Sequence, residues 1–285
     1  MTLAPVDILV PDLYFPEALR WHAGQLWFSD VFGNVVSRVG DGGPEVVANV
    51  PGQPAGLGWL PDGSMLVVSS KDRTVLRIAS DGSTTVHADL SAHVGFDAND
   101  MVVGRDGRAY VGNYGFDVSA GARPEPTNLL RVDPDGTIVR EPPPLIFPNG
   151  AVLIDGGRGL VVAETFADRI SYLRVADDGH LTEARVLAAL PPGSGPDGID
   201  ADEAGAVWVA CAFGECVVRI GPDGRATDRF EFAGMGVYCC ALGGDDGRTL
   251  YVALASRDEE LAARERTGRI VACRVDVPAV DRTEQ

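Results

Sequence analysis

The stretch from Phe147 to Leu190 constrains the fold more than any other, because it holds four short strand-like runs joined by three short connections. Asn149 to Ile154 is apolar, Asp155-Gly156-Gly157 turns, and Leu160 to Glu164 runs on. Arg169 to Val175 then alternates, and Asp178-Gly179 turns into Glu183 to Leu190. The same grammar recurs from Asn99, with its turn at Asp106-Gly107, and from Asp197, with its turn at Glu203-Ala204-Gly205. Four-strand units at a regular period predict an all-β protein, a β-propeller with four antiparallel strands per blade. Six units fit, headed near Glu17, Gln53, Asn99, Asn149, Asp197 and Val237. The sixth has only three strands of its own. Asp7 to Val10, left over before the first repeat, is expected to complete it and close the ring, leaving no open edge. A repeat architecture of this length needs no linker, so residues 1–285 read as one domain.

Composition narrows the function classes. A formal net charge of -17 argues against nucleic acid and anionic membrane as partners, and favours a metal cation and a small-molecule substrate. Lys71 is the only lysine, which removes Schiff-base chemistry and the phosphate-loop motif together. Cys211, Cys216, Cys239, Cys240 and Cys273 are odd in number, sit in apolar runs and lack paired zinc-site spacing; they read as reduced core residues of a cytoplasmic protein. No run is long and apolar enough for a membrane helix, and Asp7 and Asp12 stand where an export signal would be basic. His22, His87, His93 and His180 show no H-E-x-x-H spacing, and no G-x-S-x-G elbow accompanies them.

Strand alternation then makes a geometric expectation. The first strand of each propeller blade lines the central channel, so Glu17, Asn99, Asn149 and Asp197, which all head first strands, converge near one mouth. Carboxylate and amide oxygens suit a hard divalent cation such as Ca2+ or Mg2+, and Mn2+ more weakly. Asn and Asp at strand starts also close Asx turns, which is the competing explanation for each taken alone. Phe32, Tyr114, Phe116, Phe166 and Phe213 fall in loops of the same face and are expected to rim the channel or to pack between blades. The insertion from Ala255 to Thr267 has helix-forming composition and is either a lid or a solvated loop.

Pro16-Glu17, Asn99-Asp100, Phe147-Pro148-Asn149-Gly150 and Pro196-Asp197-Gly198-Ile199, with Leu26-Trp27-Phe28-Ser29-Asp30, resemble the family of gluconolactonase, regucalcin (senescence marker protein) and luciferin-regenerating enzyme. The resemblance covers nearly the whole chain. It implies a six-bladed propeller with one divalent cation in the channel, Ca2+ before Mg2+, Mn2+, Fe2+ or Zn2+. It also implies that Glu17, Asn149 and Asp197 are the metal ligands, that Asn99 touches substrate or a water on the metal, and that Asp197 is the general base. Two positions depart from the family pattern. Asp97 stands where relatives resembling regucalcin hold substrate with an Arg, and Ala18 replaces the Gly usual after the first-blade Glu.

Three functions are compatible with this reading: a metal-dependent lactone hydrolase, a non-catalytic metal- or protein-binding propeller, and a hydrolase of another ester such as a phosphotriester. For the first, Asn99, Asp97, Tyr114 and Phe116 are the expected substrate-binding residues. An acceptor-only Asp97 beside aromatic loops would favour an uncharged, sparsely hydroxylated lactone.

Overall fold

The computed structural model describes residues 7–280. Residues 1–6, with the start of the chain on which the export-signal expectation rests, and residues 281–285 lie outside it. Strand β1 (Asp7–Leu13) precedes the first blade, which comprises β2 (Pro16–His22), β3 (Gln25–Asp30), β4 (Val35–Gly40) and β5 (Gly43–Asn49). The second comprises β6 (Pro54–Trp59), β7 (Met65–Ser69), β8 (Thr74–Ile78) and β9 (Thr84–Asp89). The third comprises β10 (Ala98–Val103), β11 (Ala109–Asn113), β12 (Pro126–Val132) and β13 (Ile138–Ile146). The fourth comprises β14 (Pro148–Ile154), β15 (Gly159–Glu164), β16 (Arg169–Val175) and β17 (Leu181–Ala189). The fifth comprises β18 (Pro196–Ala201), β19 (Val207–Cys211), β20 (Cys216–Ile220) and β21 (Ala226–Glu231). The sixth comprises β22 (Gly236–Gly243), β23 (Thr249–Ala255) and β24 (Gly268–Arg274), with the helical turn α1 (Glu259–Ala262) between the last two.

Each blade is a four-stranded antiparallel sheet, and the sixth has the order β1-β24-β23-β22. The N-terminal strand therefore closes the ring, as its sequence position predicts. It does so at the rim, and its outer side is an edge like that of every fourth strand, so closure does not abolish edges. Pro11 in β1, which cannot donate to a ladder, suits that edge.

The Asp-Gly turns share one local chemistry. Asp62 Oδ1 accepts the Ser64 N–H at 2.9 Å and Asp223 Oδ1 accepts that of Arg225 at 3.1 Å. The intervening Gly63 and Gly224 hold φ of 82° and 78°, which an L side chain resists.

No single core fills the molecule. The large buried clusters lie between neighbouring blades: Leu57, Val67 and Val36 join the first two, and Val68, Met101 and Val111 join the next two. The last wedge, Val10, Leu19, Phe28, Cys239 and Ile270, welds the sixth blade and β1 to the first. At about 1.5 to 3 kcal/mol for each buried large aliphatic, these wedges hold the inner strands at fixed spacing, and that spacing positions the channel residues.

Candidate channel-mouth site

The innermost strand pair of every blade carries one extra residue at the same place. Pro148 pairs with Glu164 and Ala151 with Val162, while Pro196 pairs with Cys211 and Ile199 with Val209. Three steps on the inner strand thus match two on its partner, a β-bulge that re-aims the residues within it. The same shift occurs in the first, second, third and sixth blades. It places Glu17, Ala55, Asn99, Asn149, Asp197 and Val237 at equivalent positions around the ring. Four of the six carry oxygen, as their places in the repeat predict.

Asn149 and Asp197 are buried and Glu17 and Asn99 are half-buried. Burial, the charge of Glu17 and the charge of Asp100 push the Asp197 carboxyl well above its usual range, against hydrogen bonds from the Gly198 N–H and Asn149. Burial and then the charge of Asp100 raise Glu17 to about 8. These mutual effects put the two carboxyls in one recess. Asp197 Oδ1 is buried there without a hydrogen-bond partner. Asn149 Nδ2 donates to Thr165 Oγ1 at 3.1 Å, and that hydroxyl donates to the Pro196 carbonyl at 2.9 Å, which fixes which way round the amide sits.

Among the described residues, no three His, Cys, Asp or Glu side chains gather so as to hold a cation by themselves. A cation in this recess would need the Asn149 amide oxygen beside the two carboxylates. That donor set, with one buried carboxylate oxygen unpartnered and two acids opposing each other's ionisation, fits a hard divalent cation.

Beneath the recess, Arg20 Nη2 meets Asp100 Oδ1 at 2.6 Å and the Met101 carbonyl at 2.7 Å. A cavity of about 330 Å³ lies beyond, at the opposite end of the channel, with Arg20, Trp21, Trp59, Val103 and Leu153 in its lining. Because Arg20 lines that cavity while Asp100 acts on Glu17 and Asp197, the ion pair separates the two compartments.

The aromatic loops form an arc on the carboxylate side. Tyr114 stacks on Phe147 at 4.4 Å, Phe147 meets Phe166 at 5.1 Å, and Phe166 meets Phe213 at 6.1 Å. Phe116 is buried and meets Phe147 and Phe166 edge-on, so it braces the arc from behind. Phe32 belongs to a second group with Phe15 and Tyr238. Burial, then the charges of Asp97 and Glu17, raise the Tyr114 hydroxyl, and burial with the charge of Asp197 raises that of Tyr238. Sequence reasoning missed Tyr238; the signal was its place in the sixth blade, matching Gly198 in the fifth. The 255–267 insertion forms the single turn α1, capped by Asp258 and anchored by buried Ala262, with Glu259 near enough for its charge to act on both tyrosines.

Asp97 corrects one expectation. It is not a free acceptor, because Lys71 Nζ meets its Oδ2 at 2.5 Å.

A family profile described as "SMP-30/Gluconolactonase/LRE-like region" matches residues 15–256, and the chain belongs to that family. The chain is 31% identical over 193 residues to the pentonolactonase XacC of Haloferax volcanii, covering 65% of this chain and 64% of that protein. It is 36% identical over 107 residues to a 6-deoxy-6-sulfogluconolactonase of Pseudomonas putida, covering 36% and 37%. The chain thus matches less than two thirds of the length of either relative. Its fold superposes on regucalcin of Agrobacterium tumefaciens, described as a calcium-binding protein, with a TM-score of 0.81 at 20% identity over 98% of this chain and 97% of the other.

Proposed function

We propose that this chain, a single propeller domain over residues 1–285, is a divalent-metal-dependent lactonase that opens a cyclic ester by direct attack of water. The observation that carries this reading is the convergence of Glu17, Asn149 and Asp197 at one bulge position, with Asp197 Oδ1 buried and unpartnered. Glu17, Asn149 and Asp197 would hold the cation, with Ca2+ as the first expectation. The cation would supply Lewis-acid polarisation of the ester carbonyl. Lactone-acting relatives support the substrate class.

Asp197 takes the proton from the attacking water on a carboxylate oxygen and returns it to the ring oxygen as the ester C–O bond breaks. Asn99 touches the substrate or its water from the third blade. Tyr114 and the arc behind it exclude solvent from one side. No covalent intermediate is needed, and none of the five cysteines, all buried and outside any disulfide, is assigned a step. Buried thiols that form no disulfide also support a reducing compartment, and we place the protein in the cytoplasm. No helix among the described residues is long and apolar enough to cross a membrane.

The test is proton release from a lactone panel by protein stripped with chelator and reloaded with Ca2+, Mg2+, Mn2+ or Zn2+. Cation-dependent turnover is expected. Turnover indifferent to the chelator, or confined to phosphotriesters, would overturn the reading.

A further inference from the structure

The chain's only lysine stands at the mouth of the channel in a fixed setting. Lys71 lies in the tight loop between β7 and β8, and both faces of that loop are pinned. The Lys71 N–H donates to the Gly52 carbonyl at 2.9 Å and the Ser70 N–H to that of Gln53 at 2.9 Å. On the other side, Ser70 Oγ donates to the Ala98 carbonyl at 2.6 Å, and the Ala98 N–H returns to the Ser70 carbonyl at 3.3 Å. The side chain then reaches Asp97 Oδ2 at 2.5 Å, with Nζ 5.8 Å from the centroid of the Phe96 ring.

The two partners are unequally covered. The Asp97 side chain is 10% exposed and that of Lys71 is 53% exposed. Asp97 is thus consumed from within, while the ammonium presents its remaining donors outward; an ammonium has three. Its neighbours belong to the site. The Asp97 carbonyl accepts the Tyr114 N–H at 3.0 Å, and Asn99 is two residues along the same chain.

We propose that Lys71, positioned by Asp97, determines the substrate specificity of the mouth by donating hydrogen bonds to hydroxyl or carboxylate oxygens of a polyhydroxylated lactone. This rests on the lactonase reading and reverses the preference that Asp97 alone suggests. In an otherwise acidic protein, one oriented ammonium gives a hydroxyl-bearing ring a donor that an unsubstituted ring cannot use. Replacing Lys71 therefore changes selectivity between the two.

The experiment compares wild type, Lys71→Met, Lys71→Arg and Asp97→Asn on glucono-δ-lactone and unsubstituted δ-valerolactone. Loss of a charge-assisted hydrogen bond predicts that the ratio of kcat/KM values, hydroxylated over unsubstituted, falls tenfold or more in Lys71→Met, chiefly through KM. Lys71→Arg should retain most of the ratio, and Asp97→Asn should fall between. An unchanged ratio, whether both rates hold or both fall together, overturns the proposal. If wild type hydrolyses neither lactone, the lactonase reading fails, and calorimetric binding of gluconate decides the lysine's role separately. Weakening by tenfold in Lys71→Met supports it, and equal affinity refutes it.

Discussion

Arg20 of the first blade crosses the channel to Asp100 of the third, Nη2 to Oδ1 at 2.6 Å, with neither side chain more than 14% exposed. Burial raises the Asp100 carboxyl even with Arg20 opposing, so the pair is held by geometry more than by easy desolvation. Arg20→Met should strand an uncompensated carboxyl and cost about 3 to 5 kcal/mol. The Arg20→Met/Asp100→Leu double variant should recover much of that loss. Chemical denaturation checks both; a midpoint for Arg20→Met equal to wild type would mean that Asp100 is compensated by something else.

The raised Glu17 carboxyl makes the stability of the metal-free protein depend on pH. The folded protein keeps a proton that the unfolded chain releases above about 4.5, up to a folded value of about 8. This contribution is full below 4.5 and is lost as pH rises through 8, so Tm in chelator should fall between pH 5 and 8.5. Glu17→Gln should flatten the slope. A saturating divalent cation, which needs the deprotonated carboxylates, should flatten or reverse it. A metal-free Tm that climbs across this window would contradict the assignment of the recess.

Glu17, Asn99, Asn149 and Asp197 were legible in the sequence because a repeat lets positions be superimposed without coordinates. The six blades were legible for the same reason. Lys71 and Asp97 were not, since the partners lie 26 residues apart in different blades and no periodicity announces an ion pair. Arg20 and Asp100, 80 residues apart, are a stronger case. Phe116 was read as a substrate-contact residue; its burial and its edge-on packing against Phe147 and Phe166 were not legible, because loop position fixes which face an aromatic lies on but not how deeply it sits.

Asp197→Asn keeps the shape of the proposed base and removes both its charge and its proton affinity. Activity should fall by at least 100-fold at saturating metal, more than the loss in metal affinity measured by calorimetry explains. Full turnover by the metal-saturated variant would dismiss Asp197 as the base.

Removing Met1 to Pro11 deletes most of β1. Val10, fully buried in the wedge between the sixth and first blades, goes with it, along with the pairing of Asp7 to Ala272 and Val10 to Ile270. A loss of about 2 to 4 kcal/mol is expected from burial alone, or roughly 5 to 15 °C in Tm. A truncated protein melting with wild type would show that closure by this strand carries no stability.

Gly150 sits where two inner strands nearly touch. A Cβ built there would lie 2.3 Å from the Asp197 carbonyl oxygen, 2.6 Å from Gly198 Cα and 2.8 Å from Ile199 N. All three are backbone atoms of the fifth blade, so no rotamer change can make room and the strands must part. Overpacking of this kind costs about 1 to 3 kcal/mol. The larger effect should be on activity, because Asn149 and Asp197 stand on the two strands being separated. Gly150→Ala should therefore lose at least tenfold in kcat/KM at saturating metal and bind the metal more weakly, while remaining folded at 25 °C. Gly156→Ala, at a left-handed turn with nothing within 4 Å of its added Cβ, is the control: it carries backbone strain without moving either site residue. If the two variants lose activity equally, strand spacing is not what holds Asn149 and Asp197 together.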